Sequence, residues 1–317
     1  MSLPLASQLR FGFMTSVGDP DAARATAERA EAWGYDSLWT GDHVAFALPI
    51  LDPLLQLAQL GAFTRRLQLG SAVYLLPLRH PVPVAKQVAT LDRLVGGRLV
   101  FGVGVGGEFP AEYAACGVPV GERGARLSEA IPLLRRLWSG ERVAHAGRFY
   151  PIPPIQMLPK PLQAGGPPIW GGGRSAAALA RLGRLADGWI SYVVTPERCA
   201  DGLGQIARAA ERAGRALDVF GTGHLLFVVI DDCYEKAWDA ATEHLSRRYA
   251  SDFREAAKKY AALGSAADVA ERVAAFVAAG VRHVVIDPVG PPAERELQLE
   301  RFAREVRPLL RAGAESL

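Results

Sequence analysis

The chain of 317 residues is half hydrophobic and carries 36 basic and 33 acidic side chains. This length supports one large core, and a net charge of +3 spread along the chain gives no argument for a nucleic-acid partner. The three cysteines are far apart, which favours a reducing compartment and offers no metal site. No signal-like N-terminus and no membrane-length apolar run is present, so we expect a cytoplasmic protein without a membrane partner.

Strand-like and helix-like runs alternate from end to end. Each predicted strand is a short apolar run bounded by turn residues, and each predicted helix carries an apolar stripe. The predicted strands are residues 9–15, 36–40, 67–77, 99–106, 168–173, 187–193, 223–231 and 283–289. The predicted helices are residues 19–34, 53–63, 82–95, 123–138, 196–213, 268–279 and 294–311, with one more that begins at Ser175.

Two segments interrupt this alternation. Residues 140–168 are rich in proline, which predicts an irregular excursion over the surface. Residues 232–263 form a long charged stretch with helical character. We interpret both as insertions in a single domain that spans residues 1–317.

Eight β/α units at this length predict an α/β fold of the (β/α)8 TIM-barrel type with insertions. The alternative is a doubly wound open sheet, which would prefer a glycine-rich turn after the first strand. The sequence there is MTSVGDP, which lacks that fingerprint. Continuously apolar strands such as HVVI also suit a sheet covered on both faces, so we expect Val228, Ile230, Val284 and Ile286 to be buried.

Asp42 and His43 directly follow the second predicted strand, in the stretch SLWTGDHV. Active sites of such barrels lie where the strands end, and a histidine there can move a proton near neutral pH. The alternative is structural, with Asp42 closing the strand as a turn and His43 packed nearby. Both interpretations stay open on these residues alone.

Two glycine-rich stretches also lie at strand ends. In GVGVGG, residues 102–107, the missing side chains would leave room for a flat ring, although close packing explains them equally well. In GGGRS, residues 171–175, the backbone N–H groups at a helix start and the Arg174 and Ser175 side chains predict a phosphate site. The alternative there is a plain glycine turn with Ser175 as the N-cap.

Several long motifs together resemble the luciferase-like flavin and deazaflavin oxidoreductases. They are YDSLWTGDH, LQLGSAVYLLPLRHPVPVAKQVATLDRLVGGRLVFGVGVGG, PKPLQAGGPPIWGGGRS and ADGW, which lie in order within the first 190 residues, and the closing FAREVRPLL. The resemblance implies a (β/α)8 barrel, often a homodimer, that holds FMN for oxygenation or coenzyme F420 for hydride transfer.

The resemblance also implies which residues meet the cofactor and the substrate. His43 would face the ring and the substrate, and Asp42 would contact the cofactor or orient His43. A non-proline cis peptide bond would fall between Ala72 and Val73. The residues around the ring would be Asp42, His43, Ser71, Ala72, Val73, Gly104 and Gly106. The residues around the cofactor phosphate would be Gly172, Gly173, Arg174 and Ser175.

The sequence departs from the family pattern after the GVGVG run. Gly107 stands where many relatives carry an aromatic residue. Glu108 comes one residue later than the acid of the sugar-phosphate dehydrogenase branch, so a sugar-phosphate substrate is not expected.

Three functions are therefore considered. The first is hydride transfer between coenzyme F420 and a small organic molecule. The second is an FMN-dependent monooxygenase that uses O2 and receives reduced flavin from a reductase partner. The third is a non-catalytic flavin-binding relative, which loss of the strand-end residues would favour, but His43, Arg174 and Ser175 are present.

Overall fold

The structure, a computed structural model, describes residues 2–46, 49–107 and 109–314. These described residues contain eleven strands, numbered here in chain order. They are β1 (Arg10–Met14), β2 (Ser37–Thr40), β3 (Gln68–Ser71), β4 (Leu99–Val103), β5 (Arg142–His145), β6 (Ile152–Gln156), β7 (Ile169–Gly171), β8 (Gly188–Tyr192), β9 (Gly221–Ile230), β10 (Ala262–Gly264) and β11 (His283–Pro288).

Eight of these strands close into a parallel barrel. Pairing runs from β1 through β2, β3, β4, β7 and β8 to β9, and β11 joins β9 back to β1. The predicted TIM barrel with insertions is therefore confirmed, and the open-sheet alternative is wrong. The four side chains chosen to test this architecture are all buried, as the covering of both sheet faces requires. They are Val228, Ile230, Val284 and Ile286.

Helices cover the outside of the barrel. Twelve α-helices lie within the described ranges, and five of them begin at a proline, whose missing N–H needs no partner at the first helical position. They are α1 (Pro20–Ala32), α2 (Pro53–Phe63), α3 (Pro81–Leu94), α4 (Pro110–Ala115), α5 (Arg123–Trp138), α6 (Ala176–Leu185), α7 (Pro196–Arg212), α8 (Tyr234–Tyr249), α9 (Arg254–Tyr260), α10 (Ala266–Ala278), α11 (Arg295–Arg301) and α12 (Arg307–Ala314). None of these described helices is long and apolar enough to cross a membrane.

The structure corrects three of the predicted elements. The third strand ends at Ser71 rather than at residue 77, because the chain turns there into the short 3-10 helix Leu76–Leu78. Residues 140–168 are not wholly irregular, since β5 and β6 form an antiparallel hairpin. The closing helix is interrupted by a π-helical turn at Phe302–Val306, which separates α11 from α12.

The second insertion is two helices rather than one stretch. Helix α8 stops at Ala250, which adopts a left-handed conformation with a φ of 50°. After α9 the chain forms β10, which pairs with the last three residues of β9. Val228 of β9 pairs with Ala262 on one side and with Pro288 of β11 on the other. The insertion is thereby attached to the barrel at the carboxyl end of β9.

Two tryptophans fill part of the barrel interior. The rings of Trp39 and Trp170 lie 5.6 Å apart and pack with Val100, Ile190 and Val285. Glycines on the neighbouring strands make this possible. A Cβ on Gly70 would lie 2.3 Å from Trp39, and one on Gly221 would lie 2.2 Å from Trp170. The interior next to Met14, Ala72 and Val73 is therefore filled by side chains.

Candidate active site at the barrel mouth

The predicted site residues follow the carboxyl ends of four barrel strands. Asp42 and His43 follow β2, and Ser71 is the last residue of β3. Gly104 follows β4, and the glycine loop that leads to Arg174 follows β7. The strand ends of a parallel barrel meet at one mouth, so the topology brings these residues to the same end of the molecule.

His43 is held by a carboxylate that the sequence did not single out. Its Nδ1 lies 2.9 Å from Oε1 of Glu112, and its side chain remains 21% exposed while that of Glu112 is almost fully buried. Phe46 stacks on the imidazole at 4.2 Å, and Phe109 contacts its edge at 5.5 Å. These contacts hold the ring through Nδ1, and within the described ranges no hydrogen bond reaches its Nε2.

Glu112 also ties down the loop that carries His43. Its Oε1 accepts a hydrogen bond from the backbone N–H of Ala45 at 3.1 Å. The residue sits in the short helix α4, which follows the glycine-rich run after β4. A carboxylate shortly after a strand end is the sequence signal for such a partner, and both Glu108 and Glu112 show it. Glu108 itself lies outside the described residues.

Asp42 holds the loop after β3. Its fully buried carboxylate forms an ion pair with Arg79 and accepts from Leu75 N at 2.8 Å. Arg79 lies in turn over the ring of Tyr74, 4.4 Å from its centroid. Among the described residues, Glu112 rather than Asp42 orients His43. The carboxylate of Asp42 is already bound to Arg79 and to the backbone N–H of Leu75.

The loop after β3 contains the predicted cis peptide bond between Ala72 and Val73. This prediction is confirmed. Ser71 is buried, and its hydroxyl donates to the carbonyl of Gly102 in β4 at 2.7 Å, so that hydroxyl is already used. Ala72 and Val73 are partly exposed, which leaves these two residues as the part of the loop that borders the mouth.

The glycines after β4 make room for side chains of the chain itself. A Cβ on Gly104 would lie 2.2 Å from Cγ2 of Val73, and one on Gly106 would lie 2.9 Å from Cδ2 of Leu75. Close packing between two neighbouring loops therefore accounts for their small size. A cofactor ring bound at the mouth would contact Val73 and the backbone of these glycines.

The loop GGGRS has the features of an anion site. Gly173 has a φ of 114°, and Ser175 caps α6 by accepting from Ala178 N at 3.3 Å. Arg174 is exposed, and its Nη1 lies 3.5 Å from the carbonyl oxygen of Tyr192. A cavity of about 390 Å³ lies beside Arg174 and the start of α6. The N–H group of Gly172 is already bound to the Val103 carbonyl, so Arg174 and the helix start remain for a phosphate.

A buried charge cluster lies at the opposite side of the mouth. Asp287 of β11 accepts from Arg248 of α8 at 2.8 Å and from Arg295 of α11 at 2.9 Å. Burial alone would raise the pKa of this carboxyl, but the two guanidinium groups hold it below its usual range. The hydroxyl of Tyr192 contacts that of Tyr249, so α8 touches both β8 and β11.

Comparison with known proteins identifies the class. The barrel fold is shared with a solved F420-dependent dehydrogenase and a solved FMN-bound monooxygenase. A family model described as luciferase-like monooxygenase matches residues 5–294. The chain belongs to this family, whose members use coenzyme F420 or FMN.

Individual relatives carry both kinds of cofactor. The chain is 30% identical to an F420-dependent glucose-6-phosphate dehydrogenase of Nakamurella multipartita, over 96% of this chain and 97% of that protein. A solved F420-dependent secondary alcohol dehydrogenase with an F420-acetone adduct matches 96% of this chain and 99% of that one, at 20% identity and a TM-score of 0.83.

An FMN-bound relative has the same fold. It is the oxygenating constituent of 3,6-diketocamphane monooxygenase of Pseudomonas putida, which is 19% identical with a TM-score of 0.77 over 95% of this chain and 98% of that one. At these identities the solved structures establish the common fold.

Proposed function

We propose that the protein transfers hydride between coenzyme F420 and a small organic alcohol or carbonyl compound. The observation that carries the proposal is the His43–Glu112 pair at the barrel mouth. The similarity to an F420-dependent dehydrogenase over nearly the whole chain supports it.

The His43–Glu112 pair suits the proton that accompanies hydride transfer. When an alcohol carbon loses hydride, the hydroxyl must lose a proton, and the reverse reaction returns both. Nε2 of His43 accepts or returns that proton while Nδ1 stays bound to the carboxylate of Glu112. The stacked Phe46 keeps the imidazole from turning away. His43 is thus the proposed catalytic base and Glu112 the residue that positions it.

Residues at the mouth fit a tricyclic cofactor with a phosphate tail. The ring would lie over Ala72, Val73 and the backbone of Gly104 and Gly106. Arg174 and the N-terminus of α6 would take the phosphate, because a guanidinium and free backbone N–H groups both favour an anion. When bound, the deazaflavin supplies a carbon that accepts or donates hydride. Asp42 supports this floor indirectly, through Arg79 and the loop after β3.

A side-by-side titration of the purified protein with F420 and FMN tests the cofactor. We expect F420 to bind at least tenfold more tightly, a difference of about 1.4 kcal/mol. Preferential binding of FMN would instead favour the monooxygenase, which needs a reductase partner to supply reduced flavin. Binding of neither cofactor by the folded protein would refute the proposal and with it both oxidoreductase functions.

A further inference from the structure

The cavity beside Arg174 extends well beyond the GGGRS loop. Its volume of about 390 Å³ lies in the range of pockets that hold whole small molecules, about 300–1,000 Å³. Arg174 and Ala176 line it at the start of α6, and Thr195 and Arg198 line it at the start of α7. Lys259 of α9 borders it from the second insertion. The cavity therefore continues from the proposed phosphate site to α7 and α9.

Three cationic side chains border this cavity, and they exceed the acidic ones. Arg174, Arg198 and Lys259 are exposed, and within the described ranges none of the three forms an ion pair. Asp201 of α7 is the one carboxylate among the described residues that line the cavity. Because three positive charges face one negative charge, the cavity favours an anionic ligand over a neutral or cationic one.

Two helices also begin at the cavity. Ser175 caps α6 by accepting from the N–H of Ala178, and Thr195 caps α7 by accepting from the N–H of Arg198 at 3.4 Å. The first N–H groups of a helix lack partners within the helix, and its dipole places partial positive charge at that end. The starts of α6 and α7 therefore add to the attraction that the three cations exert on an anion.

The apolar part of the cavity lining is held in place. Leu179 and Trp189 are buried, and Nε1 of Trp189 donates to the carbonyl of Gly173 at 2.9 Å. Val193 also lines the cavity and has a φ of 51°, a conformation that β-branched residues rarely adopt and that is found most often at functional sites. Apolar side chains lower the local dielectric constant, which strengthens the attraction between an anion and the surrounding cations.

We propose that Thr195, Arg198 and Lys259 form a second anion site, which binds a carboxylate or phosphate group other than the coenzyme phosphate at Arg174. The guanidinium and ammonium groups would donate charge-assisted hydrogen bonds to this group, and the hydroxyl of Thr195 would donate a third. The group belongs either to the coenzyme, beyond its phosphate, or to a separate small anion. The inference rests on the proposed function only for the phosphate at Arg174.

Calorimetric titration of the full-length protein with pyrophosphate tests the second site, because the two phosphate groups of pyrophosphate can occupy neighbouring anion sites. We expect Arg198→Gln and Lys259→Gln each to weaken pyrophosphate binding about threefold to tenfold, the scale of a charge-assisted contact at an exposed position. Arg208→Gln is the matched control, because Arg208 is also an exposed arginine of α7 but does not line the cavity. It should leave pyrophosphate binding unchanged.

A second titration distinguishes the two sources of the anion. The protein is first saturated with F420, and pyrophosphate is then added. If the coenzyme carries the second anionic group, pyrophosphate no longer binds, and Arg198→Gln and Lys259→Gln weaken the binding of F420 more than that of FMN, which has a single phosphate. If the group belongs to a separate anion, pyrophosphate still binds, and both substitutions still weaken it.

The pyrophosphate titrations do not depend on the identity of the coenzyme. Absence of pyrophosphate binding by the folded protein would overturn the second site, and so would equal binding by Arg198→Gln, Lys259→Gln and Arg208→Gln. If pyrophosphate binds as expected but neither F420 nor FMN does, the second anion site stands and the proposed function falls.

Discussion

Glu112 lies 2.9 Å from Nδ1 of His43 although 69 residues separate them in the chain. The contact joins the loop after β2 to the helix after β4, across the strand β3 that lies between them. The contact fixes the orientation of a histidine that lies in a loop. The first two predictions concern this pair.

His43→Ala should lower turnover about 10²–10⁴-fold, because it removes the group that moves the substrate proton. Cofactor affinity should stay within about twofold, since other side chains hold the cofactor. His145→Ala is the matched control. His145 is also paired with a glutamate, Glu129 of α5, but it lies in strand β5 of the first insertion. If the turnover of His43→Ala stays within about threefold of the unsubstituted enzyme, the loss is below the acid–base range. His43 would then be a packing residue.

Glu112→Gln should slow turnover less than His43→Ala does, because the imidazole remains but loses its charged partner. The double variant His43→Ala/Glu112→Gln should be no slower than His43→Ala, since residues that act as one unit are not additive. Steady-state kinetics of all three variants measures this. Multiplicative losses would indicate that Glu112 acts independently of His43.

Asp42→Ala should destabilise the fold by about 3–5 kcal/mol, because it leaves the guanidinium of Arg79 without its buried partner. Urea unfolding measures this difference. Asp19→Ala is the control, because Asp19 caps α1 from an exposed position and its loss should cost only about 1 kcal/mol. If Asp42→Ala is fully stable but has lost its affinity for cofactor, the direct contact between Asp42 and the cofactor that the sequence predicted would be supported instead.

Arg174→Ala should weaken cofactor binding by about 1.5–3 kcal/mol, the scale of a hydrogen bond to a charged group. Stability should hardly change, because Arg174 is exposed. Arg184→Ala is the control for a general loss of positive charge, because Arg184 lies in the last turn of α6, the helix that follows Arg174. The phosphate site would have to be sought elsewhere if both variants bind cofactor equally well.

Stability should fall as the pH is lowered from 6.5 toward 3. Burial lowers the pKa of both His224 and His283 to about 3, so these side chains stay neutral in the folded protein and become protonated on unfolding. Each contributes a loss of up to about 1.4 kcal/mol per pH unit within that window, and none above it. Urea unfolding between pH 6.5 and pH 5 measures the slope, which His224→Leu should reduce by up to about 1.4 kcal/mol per pH unit. An unchanged slope in this variant would contradict the prediction.

The barrel was predictable because its determinants are local. Each strand is an apolar run with a turn after it, and the topology then brings every strand end, including Asp42 and His43, to one mouth. The partners of these two residues were not predicted, because Arg79 follows a short 3-10 helix and Glu112 lies in the short helix α4, two elements whose positions depend on packing. Tyr249 belongs to an insertion whose sequence matches no diagnostic pattern, so its contact with Tyr192 emerges only from the folded chain.

The paired tryptophans inside the barrel also bear on the kinetics. Because Trp39 and Trp170 fill the interior next to Ala72 and Val73, the proposed coenzyme and substrate would both enter through the mouth. The coenzyme ring would lie against Ala72 and Val73, and the carboxyl end of α8 contacts the neighbouring strand ends through Tyr249 and Arg248. An organic substrate bound in the same mouth would then obstruct the path of the coenzyme. The expected kinetic scheme is therefore compulsory-order, in which coenzyme enters first and leaves last, and excess organic substrate inhibits by trapping spent coenzyme underneath.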